Sequence, residues 1–512
     1  MSRRPDIVLL VLDTQRRDRL SCYGYARPTS PHLDALAAES TMFRRAFATA
    51  QWTIPSHASL FTGLYPSAHA TRQSSAALPV SIPTLAERLA AGGYMTAAFC
   101  NNPLVGVVNN GLRRGFESFL NYSGLLTSRP NQAGARPGPI GRYRQWFKGR
   151  LAEALNQVQN SFARSEAMLE FAFTPLMVPL WQTALSFKGN TPRSLNDAAR
   201  LLIERRGVAR DQPVFAFINV MGVHTPYHPA RRALERFAPD VLRDREAARY
   251  LRRFNGDVFG WLAPFSAAGE RYHHVLSDVY DAEVATQDAH VGAFIDRLRR
   301  SGALDHTFLL ICADHGDHLG EKGLVGHTVS AYNELVHVPL LVRDPRGDFA
   351  RGATLDHTVS LRRVFHTLLS AAGLATSGER DLSLAQSPAA DPDGGTVFVE
   401  AEPLQNVLGI MLRRRPDLAR ARRFDQPRRA VVSGAYKLIQ TGADDVELYD
   451  LDNDPHELTN LVALLPERVE ELQERISMVT HAADMPPPSL RPAADTDDPI
   501  VQRRLKELGY LE

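Results

Sequence analysis

Apolar residues fall in short solid runs separated by longer stretches with helical spacing, and that rhythm organises most of the chain. Ile7-Val-Leu-Leu-Val-Leu12, framed by Asp6 and Asp13, is far too short to span a bilayer. Its length and β-branched content are those of a buried parallel strand. Thr29-Ser30-Pro31 reads as a helix start, with Ser30 at the N-cap and Pro31 at the first helical position. Leu33, Leu36 and Ala37 give that helix an apolar face. A second helix is predicted from Pro83 to Ala91, closed by Gly92-Gly93, and a strand from Tyr94 to Cys100. Val214 to Met221 is another buried strand; helical periodicity runs from Asp278 to Arg300, and His306 to Asp314 is the strand that follows. This alternation predicts an α/β fold, a large and mostly parallel sheet sandwiched by helices. In such sheets functional residues gather where strands end at their carboxyl side. Asp13, Asn101, His224 and Asp314 all fall at or just beyond such ends.

The rhythm breaks twice. Residues of about 125–188 form an insertion: first Pro/Gly/Arg-rich, then an amphipathic helix, then the apolar stretch Met168–Phe187. Glu170, Pro175 and Pro179 argue against a membrane span there. The insertion reads as a lid over the active-site mouth, or as a basic and apolar docking face for a lipid-like substrate at a membrane surface. The second break is a turn-rich linker between Ala389 and Gly395, which divides a catalytic domain, 1–395, from a smaller C-terminal α+β domain, 396–512. Strands are predicted there at Thr396–Glu400 and Ala430–Gln440, then a turn-rich segment at Glu447–Pro455 and a helix from Pro466 to Met478.

Composition narrows the function classes. With 44% hydrophobic and 23% charged residues among 512, disorder and a multi-span membrane protein are excluded. Lys+Arg of 59 against Asp+Glu of 57 lacks the basic excess of a nucleic-acid binder. Three distant cysteines, Cys22, Cys100 and Cys312, imply no disulfide framework. Together with an N-terminus that has no signal-peptide pattern, they predict a cytoplasmic location. Nothing in the pattern sets an oligomeric state.

The candidate chemistry lies in two segments, Trp52-Thr-Ile-Pro-Ser-His57 continuing to His69, and Ala313-Asp-His-Gly-Asp-His318 continuing to His327. Asp13, Asp314 and His315 offer two carboxylates and an imidazole, a donor set suited to one divalent ion such as Zn²⁺, Mn²⁺, Ca²⁺ or Mg²⁺. The plainer reading is that the two aspartates cap the helices after their strands. Taken with Ser21-Cys-Tyr-Gly-Tyr25, Ser30-Pro31, His224-Thr-Pro-Tyr227, Tyr436-Lys-Leu-Ile439 and Glu447–Pro455, the ordered set resembles the sulfatase branch of the alkaline phosphatase superfamily.

That resemblance implies a metal-dependent ester hydrolase with Thr53 as nucleophile and fourth metal ligand. Sulfatases place Cys or Ser at the head of a C/S-x-P-S-R motif and oxidise it to formylglycine. This chain has Thr53-Ile-Pro-Ser-His57, so no formylglycine is expected. A threonine hydroxyl activated by a metal can still attack phosphorus. Alternatively, Thr53 only caps its helix. Where many sulfatases have a second Asp after the first, this chain has Thr14.

His57 stands in place of the motif's Arg, and three readings stay open for it: orienting Thr53, contacting the transferred group, or a purely structural role. His224 corresponds to a substrate-contacting histidine, and His327 to a Lys or His that protonates the leaving oxygen. Asn101 and Asn102 stand where relatives carry a Lys and a nearby His, and are read as substrate contacts. His69, Asp317 and His318 read as structural, Asp317 and Glu321 as solvated, and His228 as a surface residue. The leading expectation is cleavage or transfer of a phosphate ester, on a small or lipid-like anionic substrate, through a covalent Thr53 intermediate. The alternatives are a sulfate-ester hydrolase that does without formylglycine and a non-catalytic anion- or partner-binding member.

Overall fold

In the computed structural model, which describes residues 4–123, 188–256, 273–327 and 330–484, Asp6–Leu12 forms strand β1 and all seven of its residues are buried. Alternation along it divides the core. Ile7, Leu9 and Val11 face helices Thr53–Thr62, Leu85–Ala91 and Arg363–Ala371; Val8, Leu10 and Leu12 face Thr191–Glu204 and His273–Arg300. Burial on both faces is why the strand reads as a continuous apolar run rather than an alternating one.

After β1 come β2 (Thr41–Phe47), β3 (Met95–Cys100), β4 (Ser118–Asn121), β5 (Val214–Val220) and β6 (Thr307–Cys312). The two-residue strands β7 (His318–Leu319) and β8 (Val325–Gly326) pair with each other, and β9 (His337–Val338), β10 (Leu340–Arg343) and β11 (Thr354–Ser360) complete the large sheet. Its order is β11-β2-β10-β6-β1-β5-β3-β4, with β9 paired to β2; β10 and β9 run antiparallel to their neighbours. The central strands β6, β1, β5 and β3 are parallel and nearly level. Val11 lies opposite both Cys312 and Asn219, and Asn219 opposite Cys100. Their carboxyl ends therefore share one rim, as the alternation predicted.

Local details differ from the sequence reading. The second helix starts at Leu85, because Thr84 and Glu87 form a capping box. Ser30 holds the N-cap position and Pro31 the first turn, as predicted, but the Ser30 side chain makes no capping bond; Asp288, from the long helix His273–Arg300, accepts the N–H groups of His32 and Leu33 instead. The apolar stretch Met168–Phe187 and the rest of the insertion before Lys188 lie outside the described residues. Among the described residues, no helix is long and apolar enough to cross a membrane.

A second, antiparallel sheet follows, in the order β12 (Thr396–Ala401), β13 (Arg428–Ser433), β14 (Tyr436–Thr441) and β15 (Asp445–Asp450). The strand expected over Ala430–Gln440 is really a hairpin, β13 and β14, which turns at Gly434 with φ of 60°. One face of this sheet packs on Leu472 and Ile476 of helix Pro466–Asp484, and the other on Phe47, Leu335 and Val336 of the main body. A buried ion pair within the C-terminal part is tied to the main body through Asn333. Lys437 Nζ lies 2.6 Å from Glu457 Oε1 and donates to Asn333 Oδ1 at 2.9 Å, while Asn333 N donates to Glu457 Oε2 at 2.7 Å. Glu457→Ala would strand the Lys437 ammonium in the core. We expect a loss of about 3–5 kcal/mol in unfolding free energy, read from urea midpoints at constant slope. A loss below about 1 kcal/mol would show that Lys437 escapes to water or sheds its proton.

Candidate active site

Four strand ends and one helix start supply the rim. Asp13 follows β1, Asn102 follows β3, Asn219 is the sixth residue of β5, and Asp314-His315 follow β6. Thr53 opens helix Thr53–Thr62, every residue of which is buried. Donor atoms of Asp13, Asp314 and His315 all lie within 4.8 Å of one another.

Hydrogen bonding leaves one donor atom on each of these three residues directed at the others. Asp13 Oδ2 accepts from Asn102 Nδ2 at 2.6 Å and Asn219 Nδ2 at 3.1 Å, whereas buried Oδ1 has no partner. Asp314 Oδ1 accepts the backbone N–H groups of Thr14 and His315, at 3.1 and 2.9 Å, and buried Oδ2 has none. His315 donates Nδ1–H to the Gly316 carbonyl at 2.9 Å, which leaves the Nε2 lone pair 3.4 Å from Thr53 Oγ1 and 3.4 Å from Asp314 Oδ2. Gly316 is required here: a Cβ would come within 2.0 Å of the Glu334 carbonyl.

Electrostatics agree with the geometry. Burial and the facing Asp13 carboxylate push Asp314 well above the usual carboxylate range. Burial works against the charge of Asp13 too, but His224, His315, His57 and the Asn102 amide outweigh it and hold that carboxyl low. Burial, reinforced by neighbouring His327, keeps His315 far below the ordinary histidine value and therefore neutral. Two buried carboxylate oxygens without a hydrogen-bond partner thus stand beside a neutral imidazole lone pair. The donor set fits a divalent ion on chemistry as well as on spacing.

Thr53 does not cap its helix. The N-cap position is Trp52, no side chain caps the helix, and Thr53 Oγ1 faces His315 Nε2 and, at 3.5 Å, Asn102 Nδ2. Thr14 stands in the left-handed region at φ 58°, costly for a β-branched residue. Its hydroxyl bonds to the Asp13 carbonyl, so it is not a donor to the site, and Tyr280 O–H holds its own carbonyl at 2.6 Å.

Of the two asparagines after β3, only Asn102 reaches this cluster; the Asn101 amide donates to Thr191 Oγ1 at 3.0 Å. His57 is buried, with Nδ1–H on the Thr53 carbonyl at 2.9 Å. His224 and His327 complete a three-histidine group: ring centroids lie 5.1 Å apart for His224–His327 and 4.6 Å for His315–His327. His228 is exposed, as expected.

Two expectations are corrected. Asp317 is buried rather than solvated: its carboxylate lies 3.0 Å from His327 Nδ1 and accepts Tyr227 O–H at 3.2 Å. Glu321 is ion-paired with buried Arg16 at 2.6 Å. Sequence reasoning also missed Asn219, although a lone amide inside Val214-Phe-Ala-Phe-Ile-Asn-Val220 was a visible signal. For Asp317 the apolar pattern carried no signal: Tyr227 lies 90 positions away, and His327, ten positions on, is brought back by the pairing of β7 with β8.

The mostly parallel α/β sheet carries an acidic, histidine-rich cluster and a helix-borne hydroxyl at its carboxyl rim, where ligands bind in sheets of this kind. Residues 5–374 match the Sulfatase family model, and the chain belongs to the sulfatase family. It is 26% identical to the choline-sulfatase of Rhizobium meliloti (strain 1021) over 481 residues, covering 90% of this chain and 82% of that protein. To the steryl-sulfatase of Mus musculus it is 26% identical over 448 residues, 74% of this chain but only 63% of that one. The fold matches the phosphonate monoester hydrolase of Agrobacterium radiobacter with a TM-score of 0.64 at 21% identity, over 94% of this chain and 96% of that one. It also matches a structure solved with its substrate D-glucosamine-2-N,6-O-disulfate, with a TM-score of 0.63 at 16% identity, over 94% and 98%.

Proposed function

We propose that this protein hydrolyses phosphate esters through a covalent phospho-Thr53 intermediate, with residues 1–395 as its catalytic domain. The observation that carries this reading is the identity and setting of Thr53: an uncapping hydroxyl at a helix start, 3.4 Å from His315 Nε2, in the position that sulfatases reserve for a convertible Cys or Ser. Threonine cannot become formylglycine. Its single hydroxyl has no second proton with which to expel sulfate from a sulfated intermediate, whereas a phosphothreonine is opened by water at phosphorus.

One divalent ion held by Asp13, Asp314, His315 and Thr53 would supply the positive charge that favours the Thr53 alkoxide and offsets charge on the ester's non-bridging oxygens. Thr53 Oγ attacks phosphorus as the alkoxide, and the bond from phosphorus to the leaving oxygen breaks. His327, oriented through Nδ1 by Asp317, gives the leaving oxygen a proton from Nε2. The neutral imidazole then takes a proton from the water that attacks phosphorus. The Thr53 bond to phosphorus breaks, returning the alkoxide and releasing phosphate. Asn102 and His224 flank the substrate. The three cysteines, all free thiols, suit a reducing compartment.

A second reading, hydrolysis of sulfate esters, is favoured by the names of the curated relatives. The two separate in a panel of p-nitrophenyl phosphate, bis(p-nitrophenyl) phosphate, p-nitrophenyl phenylphosphonate and p-nitrophenyl sulfate with several divalent metals. Turnover of the sulfate well above that of every phosphorus ester would reject the phosphoryl reading. His327→Ala tests the proton donor: it should lower kcat/KM, which reports on attack and leaving-group departure, for an alkyl ester by about 10²–10⁴-fold, with far less effect on p-nitrophenyl esters, whose leaving group needs no proton. Equal losses on both would remove His327 from that role.

A further inference from the structure

Two buried side chains beside the cluster take no part in the steps above, yet they tie its members together. Asn219 projects from β5 and its carboxamide nitrogen serves two acceptors, Asp13 Oδ2 at 3.1 Å and His57 Nε2 at 3.2 Å. His57 spends Nδ1–H on the Thr53 carbonyl at 2.9 Å, so Nε2 carries the lone pair that Asn219 needs. Its ring is held edge-on by Phe61 and Phe217, at centroid distances of 6.2 and 5.9 Å, and Nδ1 also lies 3.4 Å from Asp314 Oδ2. One continuous connection thus runs from Asp13 through Asn219 and His57 to the turn that presents the Thr53 hydroxyl.

We propose that Asn219 and His57 form a positioning pair that sets the divalent-ion affinity of the site and the placement of Thr53. This rests on the metal-assisted reading above. Core filling alone does not account for the pair. An aliphatic residue would complete β5 without burying an amide, and Asn219 Oδ1 is left buried with no hydrogen-bond partner. What the residue offers the site is its two N–H groups. With Asn102, one of those groups saturates Oδ2 of Asp13 and leaves Oδ1 as its oxygen without a hydrogen-bond partner, in the cluster with Asp314 and His315. Neither side chain of the pair needs to touch substrate. Outer-shell partners of this kind hold ligating carboxylates in one orientation.

The test is a double-mutant cycle read on metal binding. Purified full-length wild type, Asn219→Leu, His57→Phe and the double variant are stripped with chelator and titrated with Mn²⁺ and Zn²⁺ against a chromogenic competitor. Each single change should weaken binding by about 10–100-fold. The double should be no weaker than about the worse single, because both break one connection. Melting temperatures of the metal-free proteins should stay close together, while the rise on adding Mn²⁺ shrinks in the variants. Turnover should fall through kcat at little-changed KM. If Asn219→Leu does not fold, Asn219→Thr keeps strand propensity, loses the bridging amide and reports on the same quantity. Variants that bind metal like wild type, or a double whose loss is the product of the singles, would overturn the pair while leaving the metal reading intact. A wild type that binds neither ion would overturn both.

Discussion

Thr53→Ala is expected to lower kcat by at least about 10³-fold on whichever ester the enzyme prefers, with little change in stability. The two halves of that expectation come from different observations. Catalysis should collapse because Thr53 Oγ1 faces His315 Nε2 and Asn102 at the centre of the cluster, and alanine removes the only hydroxyl from that place. Folding should survive because the hydroxyl caps nothing and the helix begins after Trp52 without a side-chain cap. Thr53→Ser keeps the nucleophilic oxygen and should retain activity within about tenfold. Acid-quenched wild-type enzyme should carry phosphate on the peptide containing Thr53, and the alanine variant should not. Wild-type-like turnover by Thr53→Ala would end the covalent reading.

Loss of the proposed metal ligands should be as severe. Asp314→Ala is expected to remove bound divalent ion and turnover together, and prolonged chelation of the wild type should do the same reversibly. Asp314→Asn is the cleaner variant. Its amide oxygen can still accept from Thr14 and His315, so the loop is preserved, while the charge facing Asp13 is gone. The electrostatics add a sign. Because burial and Asp13 raise the Asp314 pKa in the metal-free protein, the folded state holds a proton that the unfolded chain releases at about pH 4. That contribution to stability is complete below about pH 4 and is lost as pH rises through the elevated folded value. In chelator, the melting temperature should therefore decline with rising pH, and less steeply in Asp314→Asn. Metal binding should release protons at pH values below that elevated folded value. Full activity of thoroughly stripped protein would refute the metal requirement.

The layered α/β fold was legible because its signal is local. Asp6–Leu12 is apolar on both faces and bounded by aspartates, and helices alternate with such runs at a spacing that only a parallel sheet accommodates. Asp13 and Asp314-His315 were legible for the same reason, each lying just past a strand where a polar residue ends an apolar run, whereas Thr53 stood out only through the resemblance of Thr53-Ile-Pro-Ser-His57 to the sulfatase motif. The hairpin at Gly434 went unread because β13 and β14 both look like strand and the turn between them is short.

Tertiary structure alone decided how these residues are used. The Thr14–Asp314 bond spans 300 positions, and the Asn219–Asp13 and Asn219–His57 bonds span 206 and 162. They form only because β6, β1, β5 and β3 end level with one another. That same register chose Asn102 over Asn101, since successive residues leaving a strand point to opposite sides. It also turned Asp317 from an apparent surface charge into the partner of His327 and Tyr227. Apolar pattern encodes which face of an element is buried. Which polar atom meets which across the rim depends on relative strand register and loop path, set by packing of the whole sheet against its helices.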